Sequence, residues 1–142
     1  MTIGHLIEGR DASIIVCDAR MRVGDAAALL AEKRIGALPV IEHGKVVGIF
    51  SERDLIYRLN DMGPSVLESY VGDIMTSPAL SVEPETEVLS ALSLMTKRRV
   101  RHLPVMRDGT MIAFISIGDL VKYRIDKIQS EAEAMRTYIQ TV

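Results

Sequence analysis

Apolar and polar positions run through the same succession of periods twice along this chain. A short apolar run comes first, Ser13 to Cys17 and later Ala79 to Val82, and predicts a strand each time. Val23, Ala26, Ala27 and Leu30 then fall at i, i+3, i+4 and i+7, and Val88, Ala91, Leu92 and Met95 repeat that stripe, so a helix with one buried face follows each strand. Leu38 to Ile41 and Leu103 to Met106 read as second strands. Turns carrying Gly44 or Gly109, where a positive φ is available, join them to third strands at Val46 to Phe50 and Met111 to Ile115. Helices from about Glu52 to Leu59 and from about Ile117 to Ile128 close the pattern. Each unit therefore reads β-α-β-β-α, which places the chain in the mixed α/β (α+β) class with helices covering the sheet.

The two units are copies. Residues 23–55 align without a gap on 88–120, and eleven of the 33 paired positions are identical, including Arg34/Arg99, Leu38/Leu103, Pro39/Pro104, Gly44/Gly109, Ser51/Ser116 and Asp54/Asp119. Two copies are too few for a solenoid, so the halves are expected to face each other about a pseudo-twofold axis, with equivalent polar pairs beside a shared cleft. The expected boundaries are 8–59 for the first unit, 60–72 for a linker, 73–128 for the second unit and 129–142 for a polar, helix-prone tail. The linker rests on Asp61, Gly63, Pro64 and Ser65, which favour turns. In the tail, Ala132, Met135, Tyr138 and Ile139 fall roughly on one side, against the chain's own body or another subunit. The segment Thr2 to Ile7 is short and amphipathic, and its role stays open.

Composition narrows the function classes. With 142 residues, 48% of them hydrophobic, the chain can bury a core, whereas one 65-residue unit would be marginal. A net charge of −2 argues against a polyanion, so no nucleic-acid partner is expected. Cys17, the single cysteine, sits among Ile14, Ile15 and Val16 and reads as a small buried apolar residue. No membrane-length apolar run or basic leader is visible, and the expected location is cytoplasmic. His5, His43 and His102 lack metal-ligand spacing, no P-loop or dinucleotide-type glycine fingerprint occurs, and no nucleophile or acid/base pair stands out, so neither metal nor catalysis is expected.

Ser51 and Asp54, and again Ser116 and Asp119, stand where the last strand of a unit enters its last helix. Their spacing is that of a capping box with Asp in the carboxylate position, so a purely structural role accounts for them. The same geometry suits a ligand: amides and a hydroxyl at a helix start attract phosphate, and a carboxylate can accept both hydroxyls of a ribose. The two roles are compatible.

Gly48 Ile49 Phe50 Ser51 Glu52 Arg53 Asp54 and, more loosely, Ala113 Phe114 Ile115 Ser116 Ile117 Gly118 Asp119 resemble the signature that ends a CBS motif, the cystathionine β-synthase type domain. Ile35 to Val40, Val100 to Val105 and Val71 to Thr76 fit that family too, and the chain is similar to stand-alone CBS pairs. The resemblance implies a module that binds AMP, ATP or NAD(H) between its repeats without acting on it. It carries the ribose onto Asp54 and Asp119, the phosphate side onto Ser51 and Ser116, and the adenine onto Ile15, Val16, Leu80, Ser81, Leu38 and Leu103. Arg101 and His102 in the second copy stand where the first has Gly36 and Ala37, and with Arg53 they are expected to supply the cationic side of a phosphate site. The bland reading leaves Arg101 on a solvated face beside Lys97, Arg98 and Arg99. Ala113 in place of the signature glycine is expected to crowd the second site.

Two functions remain open from the residues: a ligand sensor acting on a partner protein in trans, or a structural interaction domain with degenerate clefts. A homodimer is expected in either case, because the stripes Val23 to Leu30 and Val88 to Met95, with Ala132 to Ile139, offer more apolar area than so small a body covers.

Overall fold

The apolar stripes fold into the helices their spacing predicts. The computed structural model describes residues 1–11 and 13–141. In chain order the first unit holds β1 (Cys17–Asp18), α2 (Val23–Lys33), β2 (Ala37–Glu42), β3 (Lys45–Ser51) and α3 (Glu52–Met62), with a short helix α1 (Ile3–Ile7) ahead of it. A 3-10 turn (Gly63–Glu68) and α4 (Val71–Ile74) lead into the second unit: α5 (Val88–Arg98), β4 (His102–Arg107), β5 (Thr110–Ser116) and α6 (Ile117–Thr141). Val23, Ala26 and Leu30 on α2, and Val88, Ala91 and Met95 on α5, are buried in two separate cores. Those stripes are thus covered by the chain itself, which removes the surplus apolar area expected at them; the large apolar residues left exposed lie mainly on α3 and α6, with Leu89 on α5 off the stripe.

Both hairpins turn through two positive-φ residues, His43–Gly44 and Asp108–Gly109, the geometry that matches strand twist. Each carries one bulge, between Val40 and Ile41 and between Val105 and Met106, so the repeat extends to irregularities. The opening strands are shorter than expected. Only Cys17–Asp18 pairs with β2, in parallel, and residues 13–16 run on outside the sheet. In the second unit Val82 makes a single parallel bridge to Val105, in the register of Cys17 on Val40. Ala19 N donates to Ile41 O in the first unit, whereas its counterpart is Pro84, which has no N–H, so the second strand stops at one bridge. Cys17 is 1% exposed, and burial pushes its thiol up to about 11, consistent with an inert core residue.

The cores do not follow chain order. Ile3 and Leu6 of α1 are buried in the second unit's core, and Val66, Val71 and Ile74 in the first unit's. Backbone bonds hold the two inserted segments in matching ways: Ile3 N donates to Thr86 O (2.8 Å) as Val71 N does to Met21 O (2.9 Å), and Gly4 N donates to Pro84 O as Gly72 N does to Ala19 O, both at 2.8 Å. Each unit is therefore completed by the segment preceding the other. Full burial of Ile3, Val66 or Val71 is worth about 1.5–3 kcal/mol each, which ties the halves together. The stretch expected to be a linker, 60–72, holds the end of α3, a 3-10 turn and the start of α4 and is helical but for two residues. The tail is no separate element either, since α6 runs unbroken for 25 residues.

Candidate functional site

Ser51 and Ser116 turn the chain from strand into helix in extended conformation, and the helices start there because each cap closes on itself. Asp54 N donates to Ser51 Oγ at 3.2 Å while Ser51 N donates to Asp54 Oδ2 at 2.9 Å. The same pair of bonds joins Ser116 and Asp119, at 3.1 and 2.9 Å. The cap thus uses Oδ2 and leaves Oδ1 of each aspartate facing a cleft. Fewer helix-start amides are free than expected. Glu52 N donates to Gly36 O and Ile117 N to Arg101 O, and the third amide goes to the serine, which leaves the second, on Arg53 or Gly118, without a protein acceptor among the described residues.

Two clefts lie at equivalent places between the units. The larger, about 510 Å³, is lined by Ser116 and Asp119 from one unit, Arg34 to Ala37 from the other, and Arg10, Ile14, Ile15 and Phe114. The smaller, about 120 Å³, is lined by Ser51, Arg53, Asp54, Thr76, Arg99, Val100 and Arg101. Gly36, Ala37 and His102 border both, at the pseudo-twofold axis.

A strap explains the difference in size. In the smaller cleft Met75 and Thr76 cross β3, with Ile49 and Thr76 exchanging two backbone bonds of 2.9 Å, and Thr76 Oγ1 donates to Asp54 Oδ1 at 2.9 Å. Gly48 permits this: a Cβ there would stand 2.7 Å from both Met75 Sδ and Thr76 O. In the larger cleft the methyl of Ala113 occupies the corresponding position, and Arg10 and Asp11 make no backbone bridge to β5 among the described residues. Ala113 was expected to crowd its site; the cleft beside it is the wider one, in keeping with a methyl standing where Gly48 admits the strap in the other unit. Arg10 instead reaches Asp119 Oδ1 at 3.2 Å. Burial pushes the Asp119 carboxyl up, but the amide of Ser116 and the charge of Arg10 outweigh it and hold the group below the usual carboxylate range.

Burial works against the positive charge expected of His102. Its ring stacks on Phe114 with centroids 5.5 Å apart, and burial lowers its pKa from 6.5, opposed by Asp119 and Glu52 and aided by Arg101. The flat ring stands between the clefts. The cations lie around it: Arg53 Nη1 donates to Arg99 O at 2.8 Å across the two units, and Arg101 is exposed on the same rim.

Among the apolar candidates, Ile15 lines the larger cleft and is 39% exposed, but Val16, Leu80 and Ser81 lie outside both clefts. Leu38 and Leu103 are fully buried, since strand alternation turns them into the cores. Sequence reasoning missed Arg10, Arg34, Arg99, Thr76 and Phe114. Arg34 and Arg99 did carry a signal, being identical in both copies; each ends its helix in left-handed conformation, φ 54° and 55°. Arg10 and Thr76 carried none, because only the chain crossing brings them to the carboxylates. The larger cleft thus brings together a carboxylate, one helix-start amide, guanidinium groups and an apolar wall, which suit a flat ring joined to a polyol and an anionic group, whereas in the smaller one Thr76 already occupies Asp54 Oδ1.

Known proteins match the chain over most of its length. The family model described as CBS domain matches residues 10–61 and 71–126. The mitochondrial CBS domain-containing protein CBSX3 of Arabidopsis thaliana is 38% identical over 135 residues, covering 92% of this chain, which spans 66% of that protein's length. Among solved structures, the CBS-domain containing protein ATU1752 of Agrobacterium tumefaciens superposes with a TM-score of 0.83 at 31% identity, over 87% of this chain and 99% of that one. CBSX2 in complex with AMP does so at 0.73 and 31%, over 88% and 96%.

Proposed function

This chain belongs to the CBS-domain family, and on that premise we propose that it is a regulatory module that binds one adenosine-containing nucleotide, AMP, ATP or NAD(H), in the Asp119 cleft. The observation that carries the reading is the cleft itself. Its volume of about 510 Å³ falls in the range of small-ligand pockets, roughly 300–1,000 Å³, and it presents Asp119 Oδ1 beside Arg10 and Arg34. The AMP bound by the related CBSX2 is of the same chemical class. Ribose hydroxyls would take Asp119 Oδ1, the Gly118 amide and the arginines would meet phosphate, and the base would lie against Ile14, Ile15 and the Phe114–His102 stack. Binding biases the relation between the two units by favouring one arrangement over another, and the protein passes that change to a partner protein in trans, as a homodimer, with no chemistry on the nucleotide.

The smaller cleft supports a second reading for its own half of the molecule: at about 120 Å³, with Thr76 already on Asp54, it serves as a structural joint. Calorimetry of nucleotide-free protein against AMP, ADP, ATP, NAD, NADH and S-adenosylmethionine tests both readings. One site per chain is expected, with Asp119→Ala weakening it by about 1.5–3 kcal/mol, the range for a hydrogen bond to a charged group. No heat and no thermal shift with any of the six would overturn the sensor reading, and two equal sites would overturn the structural role of the smaller cleft.

A further inference from the structure

Helix α6 outruns the body it belongs to. Its last buried residue is Leu120, Tyr123 still packs partly on the second core, and every described residue from Ile125 onward is exposed. A helix of 25 residues is about 37 Å long, so the part beyond Ile128 projects by about 20 Å. An isolated helical stretch of that length is marginal in water unless its apolar face finds a partner.

The face it presents has the period of a coiled-coil seam. Val121, Ile125, Ile128, Ala132, Met135 and Ile139 are spaced 4, 3, 4, 3 and 4 residues apart, an alternation of d and a positions sustained over the whole exposed stretch. All six are exposed, Val121 at 43% and Ile139 at 66%. Tyr123, which leans on the chain's own core, occupies an f position, opposite the seam, and Ser130 and Thr137 continue that outer face. The seam therefore points directly away from the body.

We propose that the second half of α6 forms a parallel, two-stranded coiled coil with α6 of a second copy of this chain. The flanking charges choose both the partner and the direction. In a parallel pair Glu131, at a g position, meets the partner's Arg136 at e, twice by symmetry. The antiparallel pairing of the same six layers sets Glu131 against the partner's Glu131 and Lys122 against the partner's Arg136, both repulsive. The proposal rests on the homodimer of the preceding reading but on nothing about nucleotide, since the seam touches neither cleft.

Light scattering of the full chain at micromolar concentration is expected to give twice 15.7 kDa. Ile128→Glu/Ile139→Glu is expected to give the monomer mass, and Ser130→Glu/Thr137→Glu, on the opposite face, to stay dimeric. Direction is read from crosslinking, because Cys17 is buried and an added cysteine is the only accessible thiol. Met135→Cys alone should be trapped as a disulfide-linked dimer by a mild oxidant such as diamide. A monomeric parent, or a dimer that survives the seam substitutions, overturns the coil. Crosslinking only in a mixture of Ile125→Cys and Met135→Cys chains overturns the parallel arrangement. Nucleotide binding by the seam variant, measured by calorimetry, separates failure of the coil from failure of the sensor reading.

Discussion

Gly48→Ala tests the strap and the asymmetry of the clefts together. The added methyl would stand 2.7 Å from Met75 Sδ and 2.7 Å from Thr76 O. The thioether can swing away. The carbonyl cannot, because Thr76 O accepts from Ile49 N and Thr76 N donates to Ile49 O, both at 2.9 Å, so moving it breaks both bonds. Overpacking of this kind costs about 1–3 kcal/mol, and each lost bond adds about 0.5–1.5 kcal/mol, so a loss of about 2–6 kcal/mol is expected. For a chain of this size that lowers Tm by roughly 7–20 °C. The strap should then leave β3 as Arg10 and Asp11 leave β5, widening the smaller cleft. The reverse change, Ala113→Gly, meets no such contact and should cost only about 0.5–1 kcal/mol, the penalty of glycine in a strand. Guanidinium denaturation of the parent and both variants measures the two losses. If Gly48→Ala loses less than about 0.5 kcal/mol, or no more than Ala113→Gly, the strap is not held as described, and the explanation of the unequal clefts fails.

The two remaining predictions concern protons. His102 should titrate below 6.5 by NMR; because its folded pKa is depressed by burial, its neutral form stabilises the fold above 6.5, and that contribution is lost as pH falls from 6.5 through the folded value. A midpoint at or above 6.5 would show the ring to be solvated or paired with Asp119. The Asp119 carboxyl is held low, so its contribution is fully present above the ordinary carboxylate value near 3.8 and disappears as pH falls through the lower folded one. The parent should therefore be more stable than Asp119→Asn at pH 6, with the gap closing towards pH 3; a gap unchanged over that range would mean Arg10 and the Ser116 amide do not favour the charged form.

Local patterns decided much of this protein before any tertiary contact is considered. Stripes at helical spacing place α2 and α5, glycines after His43 and Asp108 set the hairpin turns, and Ser–Asp pairs start α3 and α6, because each depends on residues within a turn or two of one another. The duplication placed two polar pairs at equivalent positions for the same reason. What the sequence left open depends on the chain crossing over. The matching segments at Ile3 and Val71 are offset by 68 residues (71 − 3 = 68) whereas the repeats are offset by 65 (88 − 23 = 65), so the alignment that reveals the repeat hides the exchange. That exchange carries Arg10 to Asp119 and Thr76 to Asp54, contacts 109 and 22 residues apart in sequence (119 − 10 = 109, 76 − 54 = 22). It also decides the charge of His102. A histidine beside an arginine reads as a cation in sequence, but a ring stacked on Phe114 and enclosed by both units loses more by desolvation than its acidic neighbours return. Burial is a property of the assembled halves, and only the tertiary structure supplies it.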